Sequence, residues 1–181
     1  PQQLATLEIV FAMLDANVAD AIMGNHEYNA LAFATLHPDN SSQYLRSHND
    51  IHIRQHAAFL AEIAFGSERH QYWLNRLYEL PLWIETDDAC FVHACWDVDS
   101  MAVLQPLLTD DNCLTPHGLV ATAKENTAPF DALERVLKGV EIALPDCMVM
   151  VAKEGTERKR VRVCWWLDGL NKRRRDVVTR A

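Results

Sequence analysis

The chain has 181 residues, 49% of them hydrophobic and 23% charged, a balance that suits one ordinary domain with a sizeable core and excludes wholesale disorder. Its formal net charge of -8 argues against a broad nucleic-acid-binding surface, and no run approaches the roughly 20 apolar residues of a membrane span. Five cysteines with no C-x-x-C pair, and no signal-like opening, point to reduced thiols in a cytoplasmic protein.

Pro1 rather than Met opens the sequence, so we expect the chain to begin inside a longer gene product. Leu4, Leu7, Phe11 and Leu14 recur at helical spacing, which predicts an amphipathic helix over residues 1–16, ended by Asn17. Residues 18–23 are a short, mostly apolar run closed by Gly24 and predict a buried strand. Residues 27–33 read as helix, so strand, glycine turn and helix make a βα unit. Residues 37–47 read as a polar loop. Helices are predicted over 51–65 and 68–77 with Ser67 as an N-cap, and together with the loop they form a helical insertion over about 37–80.

The apolar runs 82–85 and 89–93 flank Thr86-Asp87-Asp88 and predict a hairpin. Further helices are expected within 97–108 and 129–138, limited by Pro106 and Pro129. Residues 147–152 and 160–166 frame a polar turn at 153–156 and predict a second hairpin. Residues 168–181, with Lys172-Arg173-Arg174-Arg175, read as a polar tail.

Gly24-Asn25-His26-Glu27 is the densest chemistry in the sequence. A strand ending in glycine lets the next side chains project from a sheet's carboxyl edge, where α/β folds bind ligands. The Asn25 amide oxygen is a neutral ligand for a divalent cation, and His26 can donate a proton to a leaving group near neutral pH. The bland alternative is a polar loop that caps the next helix, with Asn25 as its N-cap.

Other groupings carry less. His48, His52 and His56 stand four residues apart, a spacing that lines one helix face; without an acidic third ligand this reads as a solvated face rather than a zinc site. Cys90, His93 and Cys95 do not converge if residues 89–95 are extended, because Cys90 then faces away from the other two. The five tryptophans, Trp73, Trp83, Trp96, Trp165 and Trp166, read as packing. Asp97 and Asp99 are explained by helix capping as well as by any site.

Ala-Ile-Met-Gly-Asn-His-Glu at 21–27 resembles the third motif of the calcineurin-like metallophosphoesterases, and Phe91-Val92-His93-Ala94 resembles their next motif. That superfamily includes phosphoprotein phosphatases and symmetrical diadenosine tetraphosphatases. The resemblance implies that Asn25 and His93 coordinate one metal of a dinuclear centre while His26 acts on the leaving group. It also implies an α/β, two-sheet sandwich flanked by helices, over residues 1–167. The family's Gly-Asp-x-His and Gly-Asp-x-x-Asp-Arg-Gly motifs do not occur here, nor does its later Gly-His. The only Pro-His-Gly, at 116–118, is read as loop. Met23 stands where many phosphoprotein phosphatases carry Arg, and Ala94-Cys95 replaces the usual Gly-Gly.

The expectation is therefore a partial metallophosphoesterase domain, incomplete at its N-terminus and at its C-terminus. Its parent would hydrolyse a phosphate monoester or phosphoanhydride with two divalent ions (manganese or iron, with zinc as a further option). Its substrate would be a phosphorylated small molecule or a phosphoprotein, with neither membrane nor nucleic acid as partner. Two alternatives follow from the same residues. One is a catalytically incomplete fragment or interaction domain that retains the fold, motivated by the missing carboxylates. The other is a nucleic-acid end-processing phosphatase.

Overall fold

Helix α1 (Gln3–Asp15) buries Leu4 and Phe11 and ends where Asn17 takes φ 54, the left-handed conformation that asparagine tolerates after a helix. Its first turn is held from a distance, since the Glu62 carboxylate accepts from the Gln3 and Leu4 N–H groups, each at 3.0 Å. These two bonds hold the Glu62 carboxyl below the usual range. The computed structural model describes residues 2–151 and 157–165, in two compact units, Pro1–Leu137 and Lys138–Ala181.

Among the described residues the fold is mixed α/β, with seven α-helices and four separate two-stranded antiparallel sheets. In the first unit α2 (Asn25–Ala34) leads into a hairpin of β1 (Leu36–His37) and β2 (Asn40–Tyr44). Helices α3 (Asp50–Glu62) and α4 (Glu68–Leu77) follow, with N-caps Asn49 and Ser67 accepting from His52 N–H and His70 N–H. Strands β3 (Trp83–Glu85) and β4 (Cys90–Val92) form the expected hairpin. After it come α5 (Val98–Leu104), a 3-10 turn (Gln105–Leu107), α6 (Pro116–Ala123) and α7 (Ala128–Lys138), the last ending just beyond the first unit. Helix α4 shows why such segments form. Ser67 caps it, Glu68 and Arg76 sit at the ends the helix dipole favours, and His70, Trp73, Leu74 and Leu77 make one buried stripe.

The first unit's core gathers Met23, Leu31, Leu82, Leu104, Leu119, Leu133 and Val136, each almost fully buried. Each such side chain contributes roughly 1.5–3 kcal/mol by leaving water. In the second unit β5 (Glu141–Ala143) pairs with β8 (Arg160–Arg162), and β6 (Met150–Val151) with β7 (Glu157–Arg158). No helix among the described residues is long and apolar enough to cross a membrane.

Several expectations are corrected. Residues 18–23 form no strand: Val18 is exposed, and the only backbone bond of Met23 N–H runs to Pro81 O at 2.8 Å, so no ladder extends the run. Residues 37–47 contain strand β2 rather than only loop, because Asp39 and Asn40 turn the chain back on Leu36. Pro116 and Gly118 belong to α6, not to a loop: Thr115 Oγ1 accepts from Gly118 N–H at 2.9 Å, and proline fits the first helical turn. In the second unit Arg160–Arg162 pairs with residues 141–143 rather than with 147–152. The turn at 153–156, Trp166 and the tail 168–181 lie outside the described residues.

Candidate metal and acid-base site

Two chain segments meet at the predicted motif. The Met23 N–H bond to Pro81 O ties the residues before α2 to those before β3. Strand β3 pairs antiparallel with β4 in the register Trp83 to Val92, so His93 emerges beside the turn at Gly24. Beyond it, Ala94 and Cys95 N–H both donate to Val136 O, at 3.1 and 3.3 Å, which anchors this segment to α7.

The result is contact between two predicted ligands. His93 Nε2 lies 3.1 Å from Asn25 Oδ1. Two donors that share an octahedral ion at right angles, each about 2.1 Å from it, stand about 3.0 Å apart. The same spacing serves a hydrogen bond, so the pair is arranged for either state. Asn25 is not the N-cap. Gly24 takes that position with ordinary extended backbone (φ -100), and Asn25 opens the helix.

Glycine at 24 makes room for two side-chain tips. A Cβ there would lie 2.7 Å from Glu27 Oε2 and 2.9 Å from His93 Cε1. Glu27 Oε2 accepts from Gly24 N–H at 3.0 Å, so this carboxylate orients the turn by closing the helix end.

His26, the predicted proton donor, is exposed and turns to a different wall. With Glu27 it lines a cavity of about 390 Å³ between helices α1, α2, α3 and α4. His56 also lines that cavity but is only 7% exposed, and its Nε2 has no hydrogen-bond partner among the described residues. Burial pushes the His56 imidazole down to about 4, helped by Arg46, His52, His26 and His48, so it is neutral at pH 7.

The histidine series is thus not a solvated helix face. His48 precedes the cap Asn49 and stacks on both Phe33 and Tyr44, with centroids 3.8 and 4.0 Å away; its Nε2 meets Phe33 O at 2.7 Å. The burial of His56 was missed in the sequence, although His56 heads a 56, 59, 63 stripe with Phe59 and Ile63, a helical core spacing.

The other candidates resolve simply. Cys90 is exposed and Cys95 is buried, where desolvation and then Asp97 push its thiol up. Asp97 caps α5 by accepting from Ser100 N–H at 3.3 Å and from its hydroxyl, and Arg135 stands 3.6 Å from it. Trp73 and Trp83 are core residues. Among the described residues no group of three or more His, Cys, Asp or Glu side chains converges to hold an ion. Asn25 and His93 therefore meet each other without a converging set of further donors among the described residues. No protein-family model matches the chain, nor does any curated protein or solved structure.

Proposed function

We propose that the chain carries part of the active site of a metal-dependent phosphoesterase that hydrolyses a phosphate monoester or phosphoanhydride. The observation that supports this reading is the 3.1 Å approach of Asn25 and His93 beside the Gly-Asn-His-Glu turn. On this reading Asn25 Oδ1 and His93 Nε2 hold one divalent ion, manganese or iron, with zinc as a further option. Two such ions supply a low-pKa water and neutralise the phosphoryl oxygens. His26 holds the proton for the departing oxygen. Glu27 keeps both in place through Gly24 N–H. The resemblance of 21–27 and 91–94 to calcineurin-like metallophosphoesterases implies a two-sheet sandwich flanked by helices for the complete domain. The substrate is a phosphorylated small molecule or a phosphoprotein.

Manganese titration followed by a p-nitrophenyl phosphate assay tests this. Two ions bound tightly, with hydrolysis, support it. A chain that binds no divalent ion and hydrolyses nothing overturns it and leaves the interaction-domain reading.

A further inference from the structure

The cavity beside His26 has a chemistry of its own. Among the described residues no Lys or Arg lines it, and Glu27 adds a carboxylate to its wall. Apart from His26 the wall offers a phosphate no cationic partner, and Glu27 would repel it. Its volume of about 390 Å³ falls in the range of small-molecule sites, which pair apolar walls with a few polar groups. Leu7, Phe59 and Leu77 supply the apolar wall; the Gln3 side chain supplies an amide that both donates and accepts, and Gln55, whose Oε1 accepts from Arg46 at 2.8 Å, supplies an NH₂ donor.

His56 adds an unsatisfied group. A buried polar atom without a partner costs roughly 1–3 kcal/mol. His56 Nε2 is such an atom, sealed from water in a residue whose other atoms line this cavity, so a ligand reaches it only if the ring turns.

We infer that this cavity takes the organic body of the leaving group, an uncharged moiety carrying both hydrogen-bond donors and acceptors, while the phosphate stays on the Asn25–His93 side. This rests on His26 acting at the leaving oxygen, because His26 belongs to both the motif turn and the cavity wall. Substrate choice then lies in Gln55, His56 and Phe59 rather than in the metal ligands.

The test is metal-free binding of nicotinamide, a flat neutral ring with one carboxamide edge, compared with inorganic phosphate. Both are titrated into the ¹⁵N-labelled chain by NMR. Nicotinamide should shift the Gln3 and Gln55 side-chain amides and the Ala30 amide, whereas phosphate should leave them in place. Gln55→Leu, at an exposed position, should weaken nicotinamide binding severalfold with its other resonances unchanged. Phosphate shifting these resonances, or nicotinamide shifting none of them, overturns the inference. Hydrolysis of p-nitrophenyl phosphate without nicotinamide binding would remove the cavity's role and spare the phosphoesterase reading. Binding without hydrolysis would do the reverse, keeping the cavity as a site for neutral ligands.

Discussion

The His93 imidazole lies so close to Gly24 that a methyl group on the glycine would fall 2.9 Å from Cε1 and 3.0 Å from Nδ1. The ring cannot keep that position against any side chain at 24. Gly24→Ala should therefore push His93 off Asn25 and Glu27 off the Gly24 N–H. Both neighbours are the tips of flexible side chains and His93 is exposed, so the shift costs little stability and acts on the contact itself. Manganese affinity should fall while the urea midpoint stays nearly unchanged. An alanine variant of unchanged metal affinity would show that the displaced ring is no ligand.

Asn25, His26 and His93 should separate by assay. Asn25→Ala and His93→Ala remove proposed metal donors and should lower manganese affinity at least about tenfold. His26→Ala should leave bound manganese unchanged while reducing kcat by roughly 10²-fold or more, the usual worth of a positioned proton donor. If His26→Ala strips the metal as well, His26 is a ligand and the division of roles is wrong.

Acid should loosen the helical pair α3 and α4. His56 titrates near 4 in the folded chain and near 6.5 unfolded, so the unfolded chain binds the extra proton between those values. Stability is then fully present above pH 6.5 and lost as pH falls toward 4, by about 3 kcal/mol at roughly 1.4 kcal/mol per unit. His70 acts in the same direction, since burial lowers it and its Nδ1 accepts from Gly66 N–H at 3.2 Å, a bond that protonation removes. Urea midpoints measured from pH 7 to pH 4 should show this slope, and His56→Leu should flatten it. A wild-type midpoint independent of pH would contradict the burial of a neutral imidazole.

Tyr28 and Thr122 form the deepest polar pair, 3.2 Å apart, with Thr122 fully buried. The threonine hydroxyl donates to Gly118 O at 2.7 Å, so the Tyr28 phenol is the donor between them, and burial pushes that phenol up to about 12. Tyr28→Phe should cost only about 1 kcal/mol, because Thr122 keeps its bond to the backbone. Thr122→Val strands the phenol and should cost about 1–3 kcal/mol, with the double variant less than the sum. Additive losses would mean that the two hydroxyls are not coupled.

What was legible in the sequence was local. Helix α4 begins and ends where Ser67 and the stripe Trp73, Leu74, Leu77 predict, and the 82–85 and 89–93 hairpin forms around Thr86-Asp87-Asp88, whose Thr86 N–H bonds to Ala89 O. Residues 18–23 failed as a strand because strand identity depends on a partner, which composition does not reveal. The His48, His52, His56 spacing misled for a related reason. Asn49 caps α3 after His48, so the three never share a helix, and His56 is buried by what α3 packs against. Asn25 and His93 could be named from their motifs. Their contact could not, since it depends on long-range backbone bonds at Met23, Ala94 and Cys95 and on the β3–β4 register.

The bond at Met23 has a kinetic consequence. Asn25 and His93 are 68 positions apart, and closing so long a loop is entropically slow unless the intervening segment is already ordered. Ordered α3 and α4 would shorten that loop, and because Met23 is fully buried in the core, loss of its bond to Pro81 should accompany opening of the core. The Met23 amide, fully sheltered yet bonded outside any ladder, is the proton whose exchange with deuterated water times that opening.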